Sequence, residues 1–195
     1  MKTDLIIVDD FYSNAYNTIQ YAWNMEWFDQ YGNHPGIRTK EEQDPSVFNA
    51  ISNIIYSSGG EITKWSDMLY NGCFNLCTEK DHTWIHADAY NDWAGVCYLT
   101  PNAPVNAGTG VWKHKETGYD RVPKDSEGNI DQELLNRIYE DAIDWSKWEM
   151  TDYVANKFNR LVVYRGDLFH TAINYFGTGF EDGRMHQTFF FNTEY

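Results

Sequence analysis

The sequence is short of basic residues, of cysteine and of long apolar runs, and each shortage excludes a class of protein. Lysine and arginine number 15 against 29 aspartates and glutamates, a formal net charge of −14. A surface of that sign repels phosphate backbones, so general nucleic-acid binding is not expected. The 3 cysteines are an odd number and cannot form a complete disulfide framework; a reducing, cytoplasmic setting is the simpler expectation. The apolar run Leu5-Ile6-Ile7-Val8 is too short for a signal-peptide core, and no other run approaches the ~20 residues of a membrane span. A soluble chain with no membrane partner is expected.

Aromatic residues, by contrast, are plentiful: 8 Trp, 14 Tyr and 11 Phe. Disordered chains are poor in them. With 195 residues the chain is long enough to bury a real core without disulfides, and residues 1–195 are expected to form one domain.

Periodicity divides the chain. Leu5 to Val8 reads as a short buried strand ended by Asp9-Asp10. Ser13 is a candidate N-cap for a helix to about Trp27, with Ala15, Ile19, Ala22 and Trp23 at helical spacing. Tyr31 to Pro45 reads as loop. A second helix is expected from Pro45 to Tyr56, stopped by Gly59-Gly60, so that residues 1–60 form a helical flank. Strands are then expected over Met68–Cys77, Thr83–Asp88 and Ala94–Leu99, with Gly108–Trp112 as a hairpin partner of the last. Lys113 to Phe158 interrupts this rhythm and contains one helix, capped by Asp131 and carrying Leu134, Leu135, Ile138, Ala142 and Ile143. Sheet character resumes at Arg160–Tyr164, and Arg184–Asn192 is the last strand. Strands flanked by helices point to a mainly β fold, a sandwich or barrel.

One constellation carries chemistry. His86 and Asp88 are separated by one residue, and strand side chains alternate, so both project from the same side. With one distant histidine, His170, they form the sequence pattern of a facial triad of two histidines and one carboxylate. Such a triad holds non-haem Fe(II) and leaves positions open for small ligands and O₂. Arg184 opens the final strand, and Tyr98 lies on the strand after His86 and Asp88. Gly108-Thr109-Gly110 sits where one strand must pass close to a neighbour.

These residues, with Asn159 to Tyr164, Leu168-Phe169-His170 and Gly183-Arg184, follow one another in a familiar order. From about residue 68 to 192 the chain resembles the 2-oxoglutarate and Fe(II)-dependent dioxygenases, in particular their prolyl-hydroxylase-like branch. The resemblance implies a double-stranded β-helix, a jelly-roll or cupin-like pair of sheets. It implies that His86, Asp88 and His170 bind iron and that Arg184 pairs with the distal carboxylate of 2-oxoglutarate through its planar fork. Tyr98 is implied as a second donor to that carboxylate. Family members often carry Ser or Thr two residues after the arginine; His186 stands there instead, either donating to the oxoacid or narrowing the pocket. The reaction implied is hydroxylation of a substrate, a peptidyl side chain or a small metabolite, with release of succinate and CO₂. Residues 113–158 are longer than the family's usual connection and read as a lid over the iron face, with Trp112, Tyr119, Tyr139, Trp145 and Trp148 available to cover a substrate.

Plainer readings stand beside these. The triad residues could be ordinary polar groups of a β domain, Arg184 a partner for Glu181, Tyr98 simple core and His186 a pocket wall. His34, His82 and His114 have no special spacing and read as exposed or loop residues. Cys73, Cys77, His82 and His86 crowd too closely for a zinc finger, and no Asp-x-Asp-x-Asp-Gly pattern marks a calcium loop. Two rival functions remain: a cupin-type metal enzyme without an oxoacid, and a non-catalytic binding module on the same barrel.

Overall fold

Why the apolar runs of this chain become strands buried on both faces is clear from their neighbours. Phe189-Phe190-Phe191 and Leu161-Val162-Val163-Tyr164 are continuous runs without polar alternation, the pattern of strands covered on both sides. In the computed structural model, which describes residues 3–29, 35–67 and 70–195, every one of these side chains is buried.

The elements in chain order are β1 (Leu5–Val8), α1 (Ala15–Trp23), β2 (Trp27–Asp29), β3 (Ile37–Thr39), α2 (Pro45–Ser57), β4 (Glu61–Trp65), β5 (Phe74–Cys77), β6 (Trp93–Tyr98) and β7 (Thr109–His114). They continue with α3 (Gln132–Glu140), a 3₁₀ turn (Trp145–Lys147), β8 (Trp148–Val154), β9 (Leu161–Arg165), β10 (His170–Ala172) and β11 (Arg184–Glu194). A large antiparallel sheet runs β1-β9-β6-β11-β5-β3-β2, with β4 pairing the far end of β11. A small sheet runs β10-β7-β8.

Three apolar clusters separate the layers. The first packs Ala15, Ile19, Val47, Ile51 and Ile55 of α1 and α2 against Phe74, Leu76, Trp93, Phe189 and Phe191 on the outer face of the large sheet. The second lies between the sheets, with Ala94, Val96, Val162 and Phe190 facing Val111 and Val154. The third fills the space behind the small sheet, where Leu135 and Ile138 of α3 meet Ile85, Trp112, Trp148 and Phe169. The helices are fixed at their starts: Asp44 accepts from the Ser46 amide at 2.8 Å, and Asp131 from the Leu134 amide at 3.0 Å. Among the described residues no helix is long and apolar enough to cross a membrane.

The mainly β expectation holds, with several corrections. The cap of α1 is Asn14, not Ser13, and the helix stops at Trp23 because Asn24 closes it. Within the expected loop from Tyr31 to Pro45, of which residues 31–34 lie outside the described residues, Ile37–Thr39 forms β3 on the edge of β5. The strand expected over Met68–Cys77 narrows to Phe74–Cys77; Met68 and Leu69 lie outside the described residues. Thr83–Asp88 forms no strand, only a bridge between His86 and His170. Thr109–His114 is no hairpin partner of β6: it crosses to the small sheet and pairs with β8 and β10.

The strand rhythm does not pause throughout 113–158 either. Trp148–Val154 pairs with β7 along its length, although its interior residues are exposed and so lack an apolar pattern. His114 is also not exposed. It is 1% accessible, with Nδ1 at 2.9 Å from the Thr117 hydroxyl and Nε2 at 3.1 Å from Asp141. His82 is exposed, as expected, and His34 lies outside the described residues.

The glycine at 108 shows how tightly β7 and β8 are joined. A Cβ there would lie 1.9 Å from the Val154 carbonyl oxygen, which is backbone and cannot swing aside. Gly108→Ala is therefore expected to destabilise the fold by about 1–3 kcal/mol, as overpacking does. Urea unfolding measures it, and Gly179→Ala, where a Cβ meets nothing within 4 Å and the backbone is not left-handed, controls for the loss of a glycine. Equal midpoints for the two variants would refute the close contact.

Candidate metal centre and its cavity

His86 and His170 meet through their backbones before their side chains meet. The His86 amide donates to the His170 carbonyl at 3.0 Å and the His170 amide donates back at 2.8 Å. Directly opposed residues of an antiparallel pair place their side chains on one face. Asp88 is two residues on, and its own amide donates to Gly166 O at 2.7 Å, which keeps that segment extended enough for the alternation to persist. One ligand atom from each of the three residues lies within 4.8 Å of the others, and among the described residues this is the group of such side chains that could hold a metal ion.

The donor set fits a metal. His86 Nδ1 lies 2.9 Å from Trp84 O, and His170 Nδ1 lies 2.9 Å from Leu168 O. A carbonyl only accepts, so each Nδ1 carries its proton and each Nε2 is left with a lone pair, the tautomer a ligand needs. His170 Nε2 faces Asp88 Oδ2 at 3.2 Å. A lone pair and a carboxylate oxygen that close repel each other unless a cation or proton lies between them. Burial, followed by the neighbouring His170, pushes the His86 imidazole below its ordinary value and favours the neutral ring. From behind, Ile85 N donates to Ala142 O at 2.9 Å and Ala87 N to the Tyr139 hydroxyl at 3.1 Å. Thus α3 and the turn after it support the ligand segment from its far side.

A cavity of about 70 Å³ opens beside the triad, room for several water-sized groups. Its walls include His86, Asp88 and His170, and also Thr109, Tyr164, Tyr175, Arg184, His186 and Thr188. None of its lining comes from residues 113–158. The segment expected as a cover lies, through α3, behind the metal-facing residues instead.

Arg184 is 2% exposed, and among the described residues no carboxylate lies within 4.0 Å of it, Glu181 included. Its Nε donates to Ala107 O at 3.3 Å and Nη1 to His186 Nδ1 at 3.1 Å. Because a guanidinium only donates, the neutral His186 ring carries its proton on Nε2. Arg184 also stands over the rings of Tyr98 and Tyr175, at 5.5 and 5.8 Å from their centroids. Tyr98 itself is not part of the cavity wall: it is fully buried, and its hydroxyl bonds Thr109 Oγ1 at 2.6 Å. Thr109 holds the wall position in front of it.

Sequence reasoning missed Thr109, Tyr164, Tyr175 and Thr188 as site residues. The alternation along β11 would have found Thr188, which shares a face with Arg184 and His186. Tyr164, whose ring lies 4.4 Å from that of His170, would have followed in the same way from β9. Tyr175 comes from an irregular segment with no period to read.

The sequence matches a family model over residues 1–190. The chain belongs to a family of unknown function, DUF6445. No curated protein matches it. Among solved structures the chain is similar to HygX from Streptomyces hygroscopicus, determined with nickel and 2-oxoglutarate bound, at 9% identity and a TM-score of 0.57. That match covers 96% of this chain and 82% of HygX. It is also similar to a prolyl hydroxylase from Trichoplax adhaerens in complex with a hypoxia inducible factor peptide fragment, at 12% identity and a TM-score of 0.54. There the match covers 96% of this chain and 83% of the other. At such identities the likeness is one of fold: the mainly β, antiparallel architecture is that of these proteins.

If the triad is a metal site, His170→Ala removes a ligand that no local motif can replace. Co(II) titration followed by visible absorbance is expected to give one ion per wild-type chain and none for the variant at the same concentration. The wild-type affinity should fall with decreasing pH, with His86 holding its lone pair to below the ordinary histidine range because burial favours its neutral ring. Unchanged Co(II) binding by His170→Ala would remove the triad assignment.

Proposed function

We propose that the chain is an Fe(II)- and 2-oxoglutarate-dependent dioxygenase, built on a double-stranded β-helix, that hydroxylates a peptidyl side chain or a small metabolite. The observation that carries this is one cavity walled both by a preset His-Asp-His ligand group and by a buried arginine without a carboxylate. A metal-binding group alone would suit many enzymes. The buried guanidinium adds a demand for an anion in the same space, because burying a charge is costly unless it is paired. 2-Oxoglutarate, with an oxoacid end for the metal and a carboxylate at the other, answers both demands.

In this reading His86, Asp88 and His170 hold Fe(II), which with 2-oxoglutarate and O₂ supplies oxidation of a substrate C–H bond, succinate and CO₂ being released. The remaining steps belong to the chain. Arg184 binds the distal carboxylate through its fork, and its bonds to Ala107 O and His186 fix the plane of that fork before the ligand arrives. His186, through its Nε2 proton, and the Thr109 hydroxyl would donate to the oxoacid, while the Thr188 hydroxyl, whose proton goes to Tyr70 O, completes the wall. Trp84 O and Leu168 O hold the two imidazoles in the ligating tautomer. Val96, Phe190 and Ala172 complete the wall with apolar surface, which limits the water that competes for these groups. The cupin-type rival without an oxoacid leaves Arg184 unexplained.

Incubation with Fe(II), 2-oxoglutarate and O₂, with succinate as the measured product, tests the reaction. Arg184→Met, close in volume and apolar, is expected to keep Co(II) binding and to weaken 2-oxoglutarate by about 2–5 kcal/mol in calorimetry, the usual cost of removing one partner of a buried charge pair. A variant that binds 2-oxoglutarate like the wild type would end the assignment of Arg184 and favour the oxoacid-independent rival.

A further inference from the structure

A second arginine is buried on the same face of the large sheet. Arg38, on β3, is 5% exposed. Its position follows from register: Arg38 lies opposite Asn75, Asn75 opposite His186, and His186 opposite Tyr98. Directly opposed residues share a face, so Arg38 projects from the face that carries the cavity wall, two strands and roughly 10 Å from His186. Pro35, three residues before Arg38, and Cys77, two residues after Asn75, are part of the cavity's lining; Arg38 and Asn75 are not.

The Arg38 guanidinium has no hydrogen bond and no carboxylate within 4.0 Å among the described residues, and its Nη2 is buried without a partner. It stacks on Tyr70, with Cζ 5.5 Å from the ring centroid, and Tyr70 stands within electrostatic reach of the Asp88 carboxylate.

The other arginines behave differently. Arg121, Arg137, Arg160 and Arg165 are less buried, and each has a carboxylate within 4.0 Å. In a chain with 29 acidic residues, the two arginines on the inner face are the ones without a carboxylate. Arg184 is accounted for by the oxoacid in the proposed reaction. Arg38 is not.

We propose that Arg38 anchors a carboxylate of the substrate, so that the molecule oxidised is a small carboxylic acid, the free amino acids included. A single guanidinium balances one negative charge and offers a planar fork that matches a carboxylate. A phosphate dianion would leave charge uncompensated there. Calling this ligand the substrate rests on the oxygenase reading; the carboxylate site itself does not.

The test uses N-acetylated alanine, leucine and phenylalanine, their carboxamides and inorganic phosphate as probes. Calorimetry is run on the Co(II)- and 2-oxoglutarate-saturated protein and, in parallel, on the protein without either. In the saturated protein the acids are expected to bind the wild type saturably and Arg38→Met roughly 30-fold or more weakly; Arg184→Met is compared only in the protein without either ligand, where the acids are expected to bind it saturably. The carboxamides should bind the wild type no better than the acids bind Arg38→Met. Arg38→Lys, which keeps the charge but loses the fork, should fall between. The comparison of acid with carboxamide in the wild type needs no variant and stands even where Arg38→Met fails to fold. Absence of acid binding, equal binding of acids and carboxamides, or phosphate binding above the acids would each overturn the proposal. Acid binding with no 2-oxoglutarate response would instead overturn the oxygenase reading and leave the Arg38 site standing. A normal 2-oxoglutarate response without acid binding would do the reverse.

Discussion

Two backbone hydrogen bonds, exchanged between His86 and His170, are what the candidate site depends on. They join an irregular segment to the small sheet at a single pair, and they set both imidazoles side by side. The third ligand follows from the first by alternation, once Asp88 is held to Gly166 O. That bond is possible because Gly166 has no side chain: a Cβ there would meet Asn91 O at 2.2 Å. The ligand geometry is therefore decided by main-chain contacts, which do not depend on a metal being present. Preorganisation of this kind lowers the cost of binding, because the ligands need not be ordered at the moment the ion arrives.

Much of this was legible in the sequence, and the reasons are particular. His86 and Asp88 were readable because a spacing of two places side chains together in any extended chain, strand or not. The segment proved not to be a strand, yet the inference survived, since alternation needs only local extension. The run Leu161 to Tyr164 and the triple phenylalanine announced strands buried on both faces. Strand β8 was invisible for the opposite reason: five of its seven residues are exposed, so neither an apolar run nor alternation marks it. The partner of β7 could not be read because pairing is a tertiary choice that strand propensity does not encode. His114 was misjudged because its two partners, Thr117 and Asp141, are brought to it by a turn and by the end of α3.

The cysteines illustrate the same limit from another side. An odd number argued against a complete disulfide framework; Cys73, Cys77 and Cys97 are buried thiols. Burial pushes the Cys73 thiol up to about 11 and that of Cys77 up to about 12, so both stay protonated and poorly reactive at neutral pH. Cys77 nevertheless lines the cavity opposite Arg184 in register, where it serves as a small apolar wall rather than as a nucleophile.

The charge distribution links fold to function. The surface carries most of an excess of 14 negative charges, and a field of that sign repels the anions that the proposed reaction requires. Long-range steering therefore cannot be the source of affinity. Short-range pairing can, because the field of exposed charges is screened within about 10 Å while a desolvated guanidinium acts at full strength on a carboxylate in contact. Keeping carboxylates of the chain itself away from Arg184 is then a condition of the proposed function: an internal partner would satisfy the charge and close the site to an external one. At Arg38 the neighbour is the ring of Tyr70, a phenol that burial keeps neutral, so it stacks on the guanidinium without neutralising its charge.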